Sequence, residues 1–263
     1  MGDTITLLSD FGTRDTYVGQ MKGVILSIFP QATLVDITHE VERFNVRMGA
    51  FLLASATPRF HPGTVHLAVV DPGVGGARRP IAVETRRSIY VGPDNGLLIP
   101  AAKREGIRRV FHLTNASLML NSVSPTFHGR DIFAPVAAHL AAGISPNQVG
   151  EELTDFVELA FGEPEFAPHE ITCEAIHIDR FGNVITNISE ENASRLRAKG
   201  KFIVSVRRKK FQAKLVDAYF SLGRNQLGLV VGSHGFLEIA GRESDASRKI
   251  RAGVGDRIRI AFR

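Results

Sequence analysis

The sequence predicts an α/β amino-terminal domain built on a mostly parallel sheet, followed by a smaller all-β, barrel-like carboxy-terminal domain. Three observations predict it. Over the first ~160 residues, short apolar and β-branched runs alternate with segments whose apolar residues recur at helical spacing, the pattern of strands joined by crossover helices. Around Phe161-Gly162-Glu163-Pro164-Glu165-Phe166-Ala167-Pro168 the texture changes to a polar bridge punctuated by proline. Beyond it the chain breaks into short strand-like runs separated by turns, as in small barrels and sandwiches.

Taken in order, residues 5–8, 33–37, 65–70, 81–84 with 89–91, and 110–113 read as strands of the first domain. Residues 17–29, 46–57 and 131–142 carry helical spacing between them. In the second domain 171–178, 184–188, 202–206, 211–216, 227–231, 236–240 and 257–262 read as strands, with a short helix over 190–198. The expected domains are therefore 1–162 and 169–263, joined by a linker over 163–168. No internal repeat or low-complexity tract interrupts them.

A chain of 263 residues with 44% hydrophobic content is ordinary for a soluble globular protein. No apolar run approaches the ~20 residues needed to span a bilayer, so no membrane partner is expected. Met1-Gly2-Asp3-Thr4 leads straight into strand-like sequence with no signal segment, which predicts a cytoplasmic protein. Cys173 is the only cysteine and sits in an alternating strand pattern, so it reads as a small core residue. No cysteine or histidine spacing marks a metal site. The net charge of +5 raises the question of nucleic acid, with Arg207-Arg208-Lys209-Lys210 in one run. That run reads as a solvated hairpin turn, and no recognition helix, zinc module or aromatic RNA platform accompanies it. No nucleic-acid partner is expected.

Asp71-Pro72-Gly73-Val74-Gly75-Gly76-Ala77-Arg78 carries the most chemical information. The apolar run 64–70 ends at Asp71, which places that carboxylate at a strand's carboxyl end, the edge where open α/β sheets put their ligands. Glycines at 73, 75 and 76 permit positive φ and close backbone approach, so the turn can fold back and bring Arg78 to Asp71. The alternative is a structural turn with a surface arginine. The segment is neither a P-loop nor a dinucleotide fingerprint, because it lacks the Lys-Ser/Thr pair and the Gly-x-Gly-x-x-Gly spacing.

Other constellations admit two readings each. Asp10, in Ser9-Asp10-Phe11-Gly12 after the first strand, could accept from a vicinal diol, or could form an Asx-turn or cap for the segment entering Tyr17. In Phe127-His128-Gly129-Arg130-Asp131, Asp131 reads as an N-terminal helix charge or cap, while His128 could orient a water or be structural. Asp179-Arg180-Phe181-Gly182-Asn183 offers a carboxylate, an aromatic face and an amide to a zwitterionic, ring-bearing ligand, or forms a plain hairpin turn. Ser233-His234-Gly235-Phe236-Leu237-Glu238 is a second such corner.

Together, and in this order, these blocks resemble the S-adenosylmethionine hydroxide adenosyltransferase family, relatives of the fluorinase and chlorinase enzymes. The resemblance covers nearly the whole chain. It is carried also by Gly92-Pro93-Asp94-Asn95-Gly96-Leu97-Leu98, by Phe181-Gly182-Asn183-Val184-x-Thr186-Asn187 and by Ser233-x-Gly235-x-Leu237-Glu238-Ile239-Ala240. It implies hydrolysis of S-adenosyl-L-methionine to adenosine and L-methionine, by attack of water or hydroxide on the ribose 5′ carbon. The thioether departs neutral, so no general acid is needed, and the demand falls on presenting an activated oxygen in line.

By that resemblance Asp71, Arg78 and His128 form the water-handling triad. Asp10 holds the ribose diol, Asn183 the adenine edge, Asp179 the methionine ammonium and Ser233 its carboxylate. Phe181, Tyr219 and Phe44 are aromatic walls, and Glu238 matches the pattern without a role that follows from it. The resemblance also implies a metal-independent homotrimer whose sites lie at subunit interfaces, with no cofactor, S-adenosyl-L-methionine being the substrate. The chain departs from the family pattern at Gly232, where asparagine is frequent, and at His234, where the halogenases carry arginine. The short 85–90 connection lacks the insertion associated with the fluorinase. Two alternatives stay open, a non-catalytic S-adenosylmethionine or adenosine sensor and a halide-using adenosyl transferase.

Overall fold

The computed structural model describes residues 2–196 and 201–262. They divide into two compact units, Met1–Ala160 and Phe161–Arg263.

The first unit follows the alternating pattern. Strand β1 (Thr4–Ser9), helix α1 (Tyr17–Ile28), β2 (Thr33–Thr38), α2 (Val46–Ala56) and β3 (Val65–Val69) come first, then β4 (Pro80–Thr85), β5 (Ile89–Pro93), α3 (Ile99–Glu105), β6 (Ile107–His112), α4 (Ala134–Ala141) and β7 (Glu152–Leu153). The sheet order is β2-β1-β3-β5-β4-β6-β7. Strands β2, β1, β3 and β5 run parallel, and β4 is antiparallel to both its neighbours. Ile5 and Leu7 of β1 share one apolar cluster with Met21 and Ile25 of α1 and with the buried residues of α4. Leu8, on the opposite face, meets α2 at Gly49. Side chains alternate across a strand, so one apolar strand serves helices on both faces.

Two sequence expectations change here. Helix α3 is absent from the periodicity reading because it is only seven residues long and opens with a proline. The segment expected to be helical from Asp131 instead begins with a π-helical turn over Gly129–Phe133. Asp131 lies inside that turn, fully buried, and accepts from the guanidinium of Arg130 and the amide of Ser124. It is the acidic residue of the first turn, as the charge reading expects, while the capping position is His128 and not Asp131.

The second unit is a closed barrel. Its strands are β8 (Glu165–Ala167), β9 (Glu170–Ile178), β10 (Val184–Ser189), β11 (Phe202–Val206), β12 (Lys209–Leu215), β13 (Leu227–Val231), β14 (Phe236–Gly241) and β15 (Arg257–Phe262), with short helices α5 (Glu190–Ala193) and α6 (Ala246–Ile250). The order β10-β14-β13-β12-β11-β15-β9 closes through a β9–β10 pairing, and β8 joins β9 from within the segment read as a linker. Closure removes exposed strand edges. Alternation fills the interior: Ile258, Ile260 and Phe262 of β15 are buried while Arg257 and Arg259 face outward. Cys173 is part of this core, and burial pushes its thiol up to about 12. The basic run forms the β11–β12 hairpin, with Arg207 and Arg208 in the left-handed region. The helix expected over 190–198 is observed as α5 followed by a 3₁₀ turn at Ser194–Leu196, and Ala198 lies outside the described residues.

His66 of β3 is fully buried, with Nδ1 against the Thr6 hydroxyl and its ring tilted against that of Tyr90, the centroids 4.8 Å apart. Burial lowers its pKa to about 3. Between there and the ordinary value of 6.5 the unfolded chain binds a proton that the fold refuses, so this share of stability is complete above 6.5 and declines as pH falls. The slope approaches about 1.4 kcal/mol per pH unit. Urea unfolding at pH 7, 6 and 5 should show that decline, and His66→Phe should make it shallower. An unchanged slope in the variant would assign the loss to other groups.

Candidate active site

Asp71 follows β3 directly, and the glycine turn returns the chain so that Arg78 grips its carboxylate. Arg78 Nε lies 3.0 Å from each Asp71 oxygen, and Nη2 donates to Oδ2 as well. The pair is nearly out of water, its side chains 5% and 10% exposed. Gly75 makes the turn possible, with φ +73° and a position where a Cβ would stand 2.3 Å from the Pro125 carbonyl oxygen. The same guanidinium donates through Nη2 to His128 Nδ1 at 2.8 Å and lies 5.3 Å from the centre of the Phe133 ring. Its remaining terminal nitrogen, Nη1, is buried with no hydrogen-bond partner.

Three consequences follow for the chemistry. Arg78 cannot lose its proton, so His128 Nδ1 must accept, and the neutral ring then carries its hydrogen on Nε2. Burial, and next the Arg78 charge, lower the His128 pKa, while Asp71 and Asp131 oppose them. The unit therefore retains two further N–H groups, on the buried, unpartnered Arg78 nitrogen and on His128 Nε2, and keeps the histidine uncharged near neutral pH.

Supporting contacts fix this unit from behind. Asn95 Nδ2 donates to the Val70 carbonyl at 2.8 Å, which holds the residue before Asp71. Arg79, the neighbour of Arg78, is gripped by Asp94 and Asp155, and Asp94 also accepts from the Val157 amide. Asp10 stands after β1 and accepts from the backbone amide of Phe44 at 2.9 Å, with Phe44 at φ +66°. Phe11 packs 5.8 Å from Phe127, so the loop carrying Asp10 and the loop carrying His128 share an aromatic contact. The cap at the entry to α1 is Thr16, so the capping alternative for Asp10 does not hold.

In the second unit, the 179–183 turn joins β9 to β10. Asp179 Oδ1 accepts from the amides of Phe181 and Asn183, and Oδ2 accepts from Asn183 Nδ2, each at 2.9 Å. Phe181 projects outward, 79% exposed. Ser233 is exposed in the β13–β14 turn. Below it, buried Glu238 accepts from the Tyr219 hydroxyl through Oε1 and from His234 Nε2 at 3.1 Å through Oε2. Burial and then Glu238 push the Tyr219 phenol upward, with a smaller contribution from Asp179.

Both halves of the chain match models of known domains, the SAM hydroxide adenosyltransferase N-terminal domain over residues 5–150 and its C-terminal domain over 173–259. The chain belongs to the SAM hydroxide adenosyltransferase family. A protein of Methanocaldococcus jannaschii named (R)-S-adenosyl-L-methionine hydrolase is 38% identical, over 99% of this chain and 96% of its own. One of the same name from Salinispora tropica is 37% identical over 97% of both chains. A fluorinase of an Actinoplanes species is 32% identical over 70% of this chain and 71% of its own. The crystal structure of an uncharacterised conserved protein from Thermotoga maritima superposes with TM-score 0.94 at 40% identity, covering 98% of this chain and 99% of that one.

Within this family frame, the fold brings together Asp71, Arg78 and His128, pairs Asp10 with Phe44, joins Asp179 to Asn183, and joins Tyr219 to Glu238. Sequence reasoning missed Asn95, Asp94 and Arg79 as supports, although the Pro93-Asp94-Asn95-Gly96 turn was a visible signal. It also missed the chain of contacts in which buried Ser9 meets His39 Nδ1 at 2.7 Å and His39 Nε2 meets the more exposed Asp36 at 3.1 Å. Those three residues sit at the ends of two adjacent strands, and no local spacing marks them. Among the described residues no group of three or more His, Cys, Asp or Glu is arranged to hold a metal ion.

The histidine assignment can be measured directly. Nitrogen-15 NMR of the imidazoles should find His128 with its hydrogen on Nε2 and a titration midpoint below 6.5. Arg78→Met removes a charge that holds the midpoint down, so the midpoint should rise. A wild-type midpoint at or above 6.5 would contradict the geometry.

Proposed function

We propose that the protein hydrolyses S-adenosyl-L-methionine to adenosine and L-methionine, by in-line attack of water or hydroxide on the ribose 5′ carbon. The observation that carries the reading is the Asp71–Arg78–His128 unit with its buried, unpartnered Arg78 nitrogen. Water held there meets a fixed cation and the His128 Nε2 hydrogen, both of which favour its hydroxide form. Asp71 orients the guanidinium and can take the proton. The C5′–S bond breaks as the C5′–O bond forms, and the sulfonium accepts the electron pair to leave as a neutral thioether. No metal is needed in this scheme, because Arg78 supplies the positive charge.

Substrate placement follows from the same residues. Asp10 keeps Oδ1 for the ribose diol while Oδ2 is held by Phe44, and Phe44, Phe181 and Tyr219 offer aromatic walls. Asn183 keeps its side-chain oxygen as an acceptor for the adenine amino group, and exposed Ser233 suits the carboxylate. The acidic groups that remain for the amino-acid end are Asp179 and Glu238. With ribose contacts on the first unit and amino-acid contacts on the second, we read the protein as a homotrimer with composite sites at subunit interfaces, acting in the cytoplasm.

Incubation in oxygen-18 water should place the label in the adenosine 5′-hydroxyl, in the presence of chelator. Unlabelled adenosine, 5′-methylthioadenosine, a halogenated nucleoside formed only with halide, or ligand bound unchanged would each exclude hydrolysis by this route. Asp71→Asn and His128→Ala should lower kcat by about 10² to 10⁴ with little change in substrate affinity, as positioned acid–base groups do. Near-wild-type turnover in both would sink the assignment of the unit.

The composite site has its own test. Asp10→Ala and Asn183→Ala proteins, each inactive, should regain activity when mixed under subunit exchange, because a mixed interface can contain two intact faces. A monomer by light scattering would end that reading.

A further inference from the structure

We infer that Asp131 is a positioning residue for the Asp71–Arg78–His128 unit, its buried carboxylate tying the turn that carries His128 to the loop against which the Asp71–Arg78 turn packs. The inference rests on the functional reading above and adds to it a residue that acts through His128. Arg78 and His128 are fifty positions apart, and the bond from Arg78 Nη2 to His128 Nδ1 at 2.8 Å joins their two segments. That bond needs both segments held in register.

Asp131 lies inside the π-helical turn Gly129–Phe133 that His128 caps, and its amide donates to the Phe127 carbonyl at 3.2 Å. Its carbonyl accepts from the Leu120 amide at 3.0 Å, and its Oδ2 accepts from the Ser124 amide at 2.8 Å. One residue thus clasps both ends of the 120–124 loop. The carbonyl oxygen of Pro125, next in the chain, is the atom that a Cβ at Gly75 would meet at 2.3 Å. The loop clasped by Asp131 therefore leads directly into the surface that the Asp71–Arg78 turn passes under.

The clasp requires a carboxylate. Oδ1 accepts from Arg130 Nε at 2.6 Å, and Oδ2 accepts from Arg130 Nη2 at 3.0 Å as well as from the Ser124 amide. Every partner is a donor, so an amide side chain would turn its own NH2 toward a donor, and Arg130 or Ser124 would lose its acceptor. A helix-terminal charge is effective at the surface, whereas full burial of a carboxylate is costly. The bond to Ser124 accounts for the burial. Arg130 completes the anchor, donating through Nη1 to Gln20 of α1 at 2.9 Å, with its guanidinium 5.0 Å from the centre of the Phe127 ring.

Asp131→Asn in the whole protein tests this. Its kcat for S-adenosyl-L-methionine should fall about 10²-fold, the scale of a slightly misplaced group, while affinity by calorimetry stays within about threefold of wild type. In a His128→Ala background the same substitution should change kcat by less than about threefold, because the residue it acts through is gone. Nitrogen-15 NMR supplies a readout that a purely electrostatic role would move the other way. Burial and next Arg78 lower the His128 pKa, while Asp71 and then Asp131 raise it, and these are the charged groups that face the ring. Loss of the Asp131 charge alone would lower the His128 midpoint. Loss of the Arg78 contact raises it, and a rise is expected.

A midpoint that falls or stays put in Asp131→Asn overturns the inference and leaves hydrolysis standing. So does near-wild-type turnover, an equal loss of substrate affinity, or an undiminished effect in the His128→Ala background. If wild type forms no adenosine, the functional reading falls, and the direction of the midpoint still decides whether Asp131 sets His128 against Arg78. If Asp131→Asn does not fold, Ser124→Pro leaves every charge in place and removes the amide donor. The same rise is expected there, and an unchanged midpoint overturns the inference.

Discussion

The first unit is organised around one buried ion pair, Asp71 with Arg78. Removing two charges from water is favourable only when geometry is close to ideal and the remaining polar atoms are satisfied. Much of the surrounding structure serves that condition. Strand β3 delivers Asp71 to the sheet edge, Asn95 holds the carbonyl just before it, and Gly75 lets the turn pass under Pro125. Arg79 is held by buried Asp94 and by Asp155, while Arg78 is held by Asp71. Consecutive arginines are thereby each anchored by their own carboxylates, and the turn between Asp71 and Arg78 has little freedom left. Loss of one partner would strand a buried charge, a cost of about 3–5 kcal/mol.

That constraint also shapes the electrostatics presented to a cationic ligand. An arginine fully neutralised by its aspartate adds little net charge, yet it keeps one nitrogen directed away from the carboxylate. The histidine beside it is held below its ordinary pKa by burial and by the guanidinium. In the proposed site, a protonated His128 would place a second positive charge where the sulfonium approaches. Keeping the ring neutral retains its Nε2 donor without that repulsion. In the proposed reaction the leaving group needs no proton, so an imidazole that orients rather than donates a proton is sufficient.

The fold was legible in the sequence because its main signals are periodic. The apolar run of β1, buried along its whole length, and the alternation of β15 follow from which faces are covered. The short α3 and the π-helical turn at Gly129–Phe133 were not legible, because neither is long enough to show a period. For the site, Asp71 and Arg78 were readable from a strand end and a glycine turn seven residues apart. The place of His128 beside them came from the family resemblance, since fifty residues separate it from Arg78 and only tertiary packing joins them. The N-terminal charge of Asp131 was legible from its nearness to a helix start, whereas its burial and its bonds to Arg130 and Ser124 were not. Contacts between distant strand ends, such as Ser9 with His39, leave no mark in local spacing at all.

The second unit shows how a turn can be locked and still carry recognition groups. Asp179 fastens Asn183 at backbone and side chain, which sets the amide's orientation before a ligand arrives and spares that part of the binding entropy. The cost is that Asp179 has little acceptor capacity left. Glu238 of the same barrel is held differently, by the side chains of Tyr219 and His234 rather than by backbone amides.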